Sequence, residues 1–218
     1  MQSITIEAAR PWYTSEDAVH NFEHVLRVYE LAERIAVAED ADLEIVCAAV
    51  LLHDAEGAAD AEGSAAHTDS RRDHHEISAE FARQVLTAKG WPQNKVDAVV
   101  HCIRAHRFRR GETPQSLEAQ VVFDADKLDA IGAIGVARAL AYAVQAGQPF
   151  YAEPSPQFVK SGERQPAEPH SAYHEFIFKL RNIKTRIFTP TGKAIAAQRH
   201  AAMSAYFEQL QAEMQGER

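Results

Sequence analysis

The stretch Asp42-Leu-Glu-Ile-Val-Cys-Ala-Ala-Val-Leu-Leu-His53-Asp54 decides how the chain folds. Asp42 has the side chain of a helix N-cap, because its carboxylate can accept from the backbone N–H groups of the first turn. The run from Leu43 to about His53 is almost unbroken in apolar character, which predicts a helix buried on most sides and central to the fold. It ends in an imidazole followed by a carboxylate, and burying those two unpaired would be costly. Adjacent helical residues do not face one another, so His53 and Asp54 could share a cation only if it lay over the helix end.

Upstream, Thr14 followed by Asp17 resembles a helix start, and Phe22, Val25, Leu26, Tyr29, Ala32, Ile35 and Ala36 recur with helical period. This helix is expected to carry His20 and His24, whose i, i+4 spacing puts two imidazoles on one face. Downstream, Glu56 to Ser70 reads as a loop rich in Gly, Ala, Ser and Asp. A helix from about Asp73 to Lys89 is stopped by Gly90, and Pro92 suits the first turn of another that runs towards His106. Ser116 can open a fifth helix carrying Asp124, Asp126 and Lys127, with Gly132 and Gly135 marking a kink or close packing.

Between Gly147 and Pro169 stand Pro149, Pro154, Pro156, Pro166 and Pro169, which exclude a long regular helix and predict an irregular excursion or lid. Helical pattern returns over His174 to Lys184 and Pro190 to about Met214, with Thr189 as N-cap. The expected fold class is all-α: a helical bundle with a long late loop. It is read as one domain over 1–218, with a core of about 15–146, the loop 147–169 and C-terminal helices over 170–214.

The chain has 218 residues, 46% hydrophobic and 25% charged, enough to bury a substantial core. A formal net charge of -8 argues against a protein that tracks nucleic acid. Met1 to Thr14 has neither a basic leader nor an apolar core, and Ile45 to Leu52 is too short to cross a bilayer, so no membrane role and a cytoplasmic location are expected. Cys47 and Cys102 sit in apolar helical pattern and are expected to be buried thiols; two cysteines do not make a familiar zinc site.

Taken together, the segment H-x-x-x-H-V-x-R-V beginning at His20, the His53-Asp54 pair and Asp124-Ala125-Asp126-Lys127-Leu128 resemble the HD superfamily of metal-dependent phosphohydrolases. The likeness is to small bacterial members with an H-[DN]-F-x-H start and a D-A-D-[KR]-L-[DE]-A-[IL]-G-A-I-G segment. It implies His24, His53, Asp54 and Asp126 as metal ligands, with Asp124 the competing choice for the fourth place. Two imidazoles and two carboxylates suit manganese first, and also iron, cobalt, nickel, zinc or magnesium. The resemblance implies hydrolysis of a small phosphorylated substrate, a nucleotide, with Asp54 at the catalytic centre and pyrophosphohydrolase activity as the expected reaction.

Lesser roles stay open. His20 is a ligand, a neighbour of the ligands or a surface residue; Glu56 is a general base or a solvated loop carboxylate. Lys127 and Lys179 are candidate phosphate-binding cations. Arg104, Arg107, Arg109 and Arg110 form either a phosphate site or a solvated basic helix end. His74, His75, His101 and His106 are candidates for a second metal, as in some members of the superfamily. Rival functions are a nucleoside monophosphate phosphatase, a di-iron oxygenase of the same fold and a non-catalytic nucleotide-binding module.

Overall fold

The computed structural model describes residues 2–13, 21–55, 70–107 and 112–218, and for 70–74 the backbone alone. Among these residues the regular structure is entirely helical, as an all-α chain requires. They fall into two compact units: Met1–Asp126 with Phe188–Thr191, and Lys127–Ile187 with Gly192–Arg218. No single described helix is long and apolar enough to cross a membrane.

The first unit is built around the helix Leu43–Leu52, here α3. Asp42 caps it as expected, its side chain accepting from the N–H groups of Glu44 and Ile45. Val46, Ala49, Val50, Leu51 and Leu52 are all 0% exposed, so the apolar run is enclosed on most of its faces, with Leu43 at its start left 38% exposed. Each such Val or Leu contributes about 1.5–3 kcal/mol relative to exposure. The helices α2 (Phe22–Glu39), α4 (Ser70–Ala88) and α5 (Gln93–Ala105) pack around it. Cys102 is buried among them, whereas Cys47 is only half-buried.

The start of α2 differs from the sequence expectation. Asn21 has extended backbone (φ -79, ψ 176), and its side chain accepts from the N–H groups of Glu23 and His24. This side-chain cap takes up orphan donors of the first turn, and α2 begins at Phe22. Thr14 and Asp17 lie outside the described residues. Before them come a short helix, α1 (Ile6–Ala9), and a 3₁₀ turn, Arg10–Trp12, both too brief to show a period in sequence. This segment is tied down by Trp12 edge-on to Phe81 at 5.3 Å and by the Trp91 indole N–H, which donates to the Gln2 carbonyl at 3.0 Å.

Helix α6 (Leu117–Asp129) begins in the first unit and ends in the second, where α7 (Gly132–Gln145) follows. Two glycines make that turn possible. Gly132 has φ +78, and a Cβ on Gly135 would stand 2.3 Å from the Ala130 carbonyl oxygen. The remaining helices of the second unit are α8 (Pro156–Ser161), α9 (Ala172–Phe178), the 3₁₀ turn Leu180–Arg186 and α10 (Pro190–Met214), which starts in the first unit. Phe176 stacks on Phe207 at 4.5 Å to join α9 to α10.

The proline-rich stretch contains no long helix, in line with its composition, but it is pinned in place. Ser155 and Pro156 open the short α8 as N-cap and first helical residue. The Glu168 carboxylate accepts from the Ser155 N–H, the Ser155 hydroxyl and the Gln165 N–H, each at 2.7 Å. It also lies 3.2 Å from the Nε2 atom of the fully buried His174, whose Nδ1 is 2.7 Å from the Ser171 hydroxyl. These bonds lower the Glu168 pKa to about 2, the backbone N–H of Ser155 contributing most.

Candidate metal centre

The start of α2, the end of α3 and the first-unit part of α6 come together. The first turn of α2 supplies His24, the end of α3 supplies His53 and Asp54, and α6 supplies Asp126. His24 Nε2 lies 3.4 Å from Asp126 Oδ1 and 4.0 Å from Asp54 Oδ2, while His53 Nε2 lies 3.3 Å from Asp54 Oδ2. One ligand atom each of His24, His53 and Asp126 falls within 4.8 Å of the other two. Donors at ~2.0–2.2 Å from one ion stand at most ~4.4 Å apart, so small side-chain shifts would let all of them bind one cation.

The donor set fits a cation for a second reason. His53 is 0% exposed, and its Nδ1–H donates to the Val50 carbonyl at 2.7 Å. That bond turns Nε2 towards the cluster, where it can hold a proton or, once deprotonated, an ion. Nε2 has no hydrogen-bond partner among the described residues, and its approach to Asp54 is a charge contact without hydrogen-bond geometry. A buried ring nitrogen without a hydrogen bond is costly, and an ion held there would satisfy it.

The field of the cluster points the same way. Burial alone would push the His53 pKa down, but the Asp54 and Asp126 carboxylates outweigh it and raise the value to about 9. Burial opposes the charge on Asp54 and Asp126 repels it, yet His53 and His106 hold its pKa well below the usual carboxylate range. Two carboxylates and buried imidazoles thus create a negative hollow that favours positive charge.

Asp124 points elsewhere. Its fully buried carboxylate accepts from the Phe188 N–H at 2.9 Å and from both the N–H and the hydroxyl of Thr189 at 2.7 Å. It therefore anchors the start of α10, while Asp126, two residues on, faces the histidines. His106 comes near the group, with Nε2 3.7 Å from Asp54 Oδ1 and its ring 5.2 Å from that of His53. His75 is 5% exposed on α4, with Nε2 3.7 Å from Glu76. His101 is engaged by Glu112 at 2.9 Å and by the Gln115 N–H at 3.1 Å. Arg104 pairs with Glu76 at 2.9 Å. Lys127 and Lys179 belong to the second unit. His20, Glu56, Arg109 and Arg110 lie outside the described residues, as does the side chain of His74.

Sequence reasoning missed Tyr13. Its hydroxyl donates to the Leu51 carbonyl at 3.0 Å, and its ring stands 5.4 Å from that of Phe22. Burial and the Asp54 charge push the hydroxyl pKa well up, so it stays a donor. A lone tyrosine upstream of the first recognisable helix gives no signal of this in sequence.

Residues 21–131 match the sequence model of the HD domain. The chain is 34% identical to the Bacillus subtilis protein YpgQ over 96% of its own length and 94% of that protein's. The crystal structure of YpgQ in complex with ADP superposes with a TM-score of 0.70 at 31% identity, covering 96% of this chain and 97% of that one. An HD-superfamily hydrolase from Bacillus thuringiensis gives a TM-score of 0.68 at 25% identity, covering 96% of this chain and 94% of its own.

Proposed function

This chain belongs to the HD-domain family, which includes hydrolases, and on that premise we propose that it is a divalent-metal-dependent phosphohydrolase acting on a nucleotide. The observation that carries the reading is the buried, unpartnered Nε2 of His53, fixed towards two carboxylates and a second imidazole. His24, His53, Asp54 and Asp126 would hold the ion, manganese being the metal we assign first. A cation bound there would polarise a phosphoryl oxygen and acidify an attacking water.

The protein's own groups do the rest. The Val50 carbonyl orients His53 by accepting its Nδ1 proton. Asp54, held as an anion beside His53 and His106, is the carboxylate we assign to orienting the water. Lys127, which follows Asp126 in the chain, is the cation we assign to a substrate phosphate, with Lys179 as a second choice. Glu56, which follows the pair closely in the chain, is the candidate we name for a general base, the alternative being a solvated loop carboxylate.

A nucleotide substrate is supported by the ADP complex of the relative YpgQ. Cleavage between the α- and β-phosphates of a nucleoside triphosphate is the reaction we favour. The test is to supply nucleoside triphosphates and monophosphates with Mn, Co, Ni or Mg and to quantify both phosphate products. Pyrophosphate from triphosphates is expected. Orthophosphate from monophosphates would instead make the protein a nucleoside monophosphate phosphatase, and release of neither would remove the hydrolase reading.

A further inference from the structure

Each of the last three carbonyls of α3 accepts from a different group. The Val50 oxygen accepts from His53 Nδ1, the Leu52 oxygen from the Ala55 N–H at 3.3 Å, and the Leu51 oxygen from the Tyr13 hydroxyl. The turn His53-Asp54-Ala55 is held from its far side by Ser78, whose hydroxyl donates to the Ala55 carbonyl at 3.2 Å. Tyr13 thus provides a side-chain hold on this helix end from a segment distant in sequence.

The ring of the same residue reaches a second ligand-bearing element. Tyr13 packs at 5.4 Å against Phe22, the first residue of α2, and the Arg10 guanidinium lies over the same Phe22 ring, 4.5 Å from its centroid. His24 lies two residues beyond Phe22, in the turn capped by Asn21. One side chain therefore touches both the helix end that carries His53 and Asp54 and the helix start that carries His24.

We infer that Tyr13 is a positioning residue for the cation, setting the spacing of the α2 start against the α3 end through its hydroxyl and its ring together. The inference rests on the metal-site reading above and deepens it. Removing the hydroxyl frees the Leu51 carbonyl and loosens the turn, while the ligands themselves are untouched. Loss of a partner bonded directly to a ligand typically costs ~10- to 100-fold in metal affinity. Tyr13 acts one step further out, so Tyr13→Phe is expected to weaken Mn(II) binding by about 3- to 10-fold.

The experiment measures Mn(II) binding by calorimetry, and melting in chelator, for the wild type, Tyr13→Phe and His53→Ala. Weaker binding by Tyr13→Phe with the circular dichroism unchanged supports the inference. Wild-type affinity in Tyr13→Phe, whatever its melting temperature, overturns it, because a merely structural tyrosine would lower stability and leave affinity alone. If the wild type binds no Mn(II), or His53→Ala binds it as well as the wild type, the metal site itself is wrong and the inference falls with it. Should Tyr13→Phe fail to fold, Phe22→Leu decides in its place: it loosens the same ring contact, and unchanged affinity there overturns the proposal.

Discussion

Asp124 and Asp126 lie two residues apart, and exchanging each for Asn should separate stability from metal binding. Asp124 accepts three hydrogen bonds at 2.7–2.9 Å from Phe188 and Thr189 with no exposure to water. Hydrogen bonds to a charged group contribute ~1.5–3 kcal/mol each, and an Asn amide would keep one acceptor while turning its NH₂ towards buried donors. The net loss in Asp124→Asn is about 3 kcal/mol, since the three bonds share one side chain and do not add. In a chain of this length ~1 kcal/mol moves the melting temperature by ~2–4 °C, so a fall of about 6–12 °C is expected. Its Mn(II) affinity should stay within about 3-fold of wild type. Asp126→Asn is the converse: it removes a carboxylate 3.4 Å from His24 that also repels Asp54. Its melting temperature in chelator should move by no more than about 3 °C, while Mn(II) affinity falls by on the order of 100-fold or more. Thermal melts in chelator and Mn(II) titrations read both quantities. A normal melt with lost metal binding in Asp124→Asn would refute this division of roles.

Three further outcomes follow from named contacts. Asn21→Ala should cost about 1 kcal/mol through the lost cap, whereas Asn21→Asp should melt close to wild type, both read by thermal denaturation; equal melts for the two would contradict the capping role. Gly135→Ala would drive a methyl to 2.3 Å from a backbone oxygen, and a loss of about 3 kcal/mol or more in denaturant titration is expected; a neutral effect would show that the α6–α7 turn is not held as described. Glu168 has a folded pKa near 2 against 4.5 unperturbed, so its stabilisation is present above about 4.5 and is lost as pH falls through about 2. Acid titration followed by circular dichroism should show a shallower loss over that window in Glu168→Gln than in the wild type, and parallel curves would remove the carboxylate from the account.

What the sequence made legible were features whose cause is local. The α3 helix follows from an apolar run behind an aspartate cap, and His53-Asp54 stands out because polar groups rarely end such a run. The spacing of His24, His53, Asp54 and Asp126 carried the family likeness. The cap of α2 is Asn21, inside the H-[DN]-F-x-H pattern itself, where Asp and Asn serve this purpose equally well; the Thr14-Asp17 signal drew the reading to residues outside those described. The helix α8 was overlooked although Ser155-Pro156 is a start signal, because the density of prolines around it dominated the reading. Asp124 and Tyr13 were not legible for another reason. Their partners, Thr189 and Leu51, are 65 and 38 residues away, and no local pattern encodes such pairings.

The most direct test of the central claim is phosphate and pyrophosphate release from nucleoside triphosphates by chelator-stripped protein resupplied with Mn(II), for wild type and Asp54→Ala. Asp54 sits 3.3 Å from His53 and 4.0 Å from His24, and its loss removes a carboxylate without opening the hydrophobic core. Metal-restored release by the wild type and none by a folded Asp54→Ala is the expected result. Release that survives in Asp54→Ala, or that proceeds in the wild type without added metal, would contradict the account.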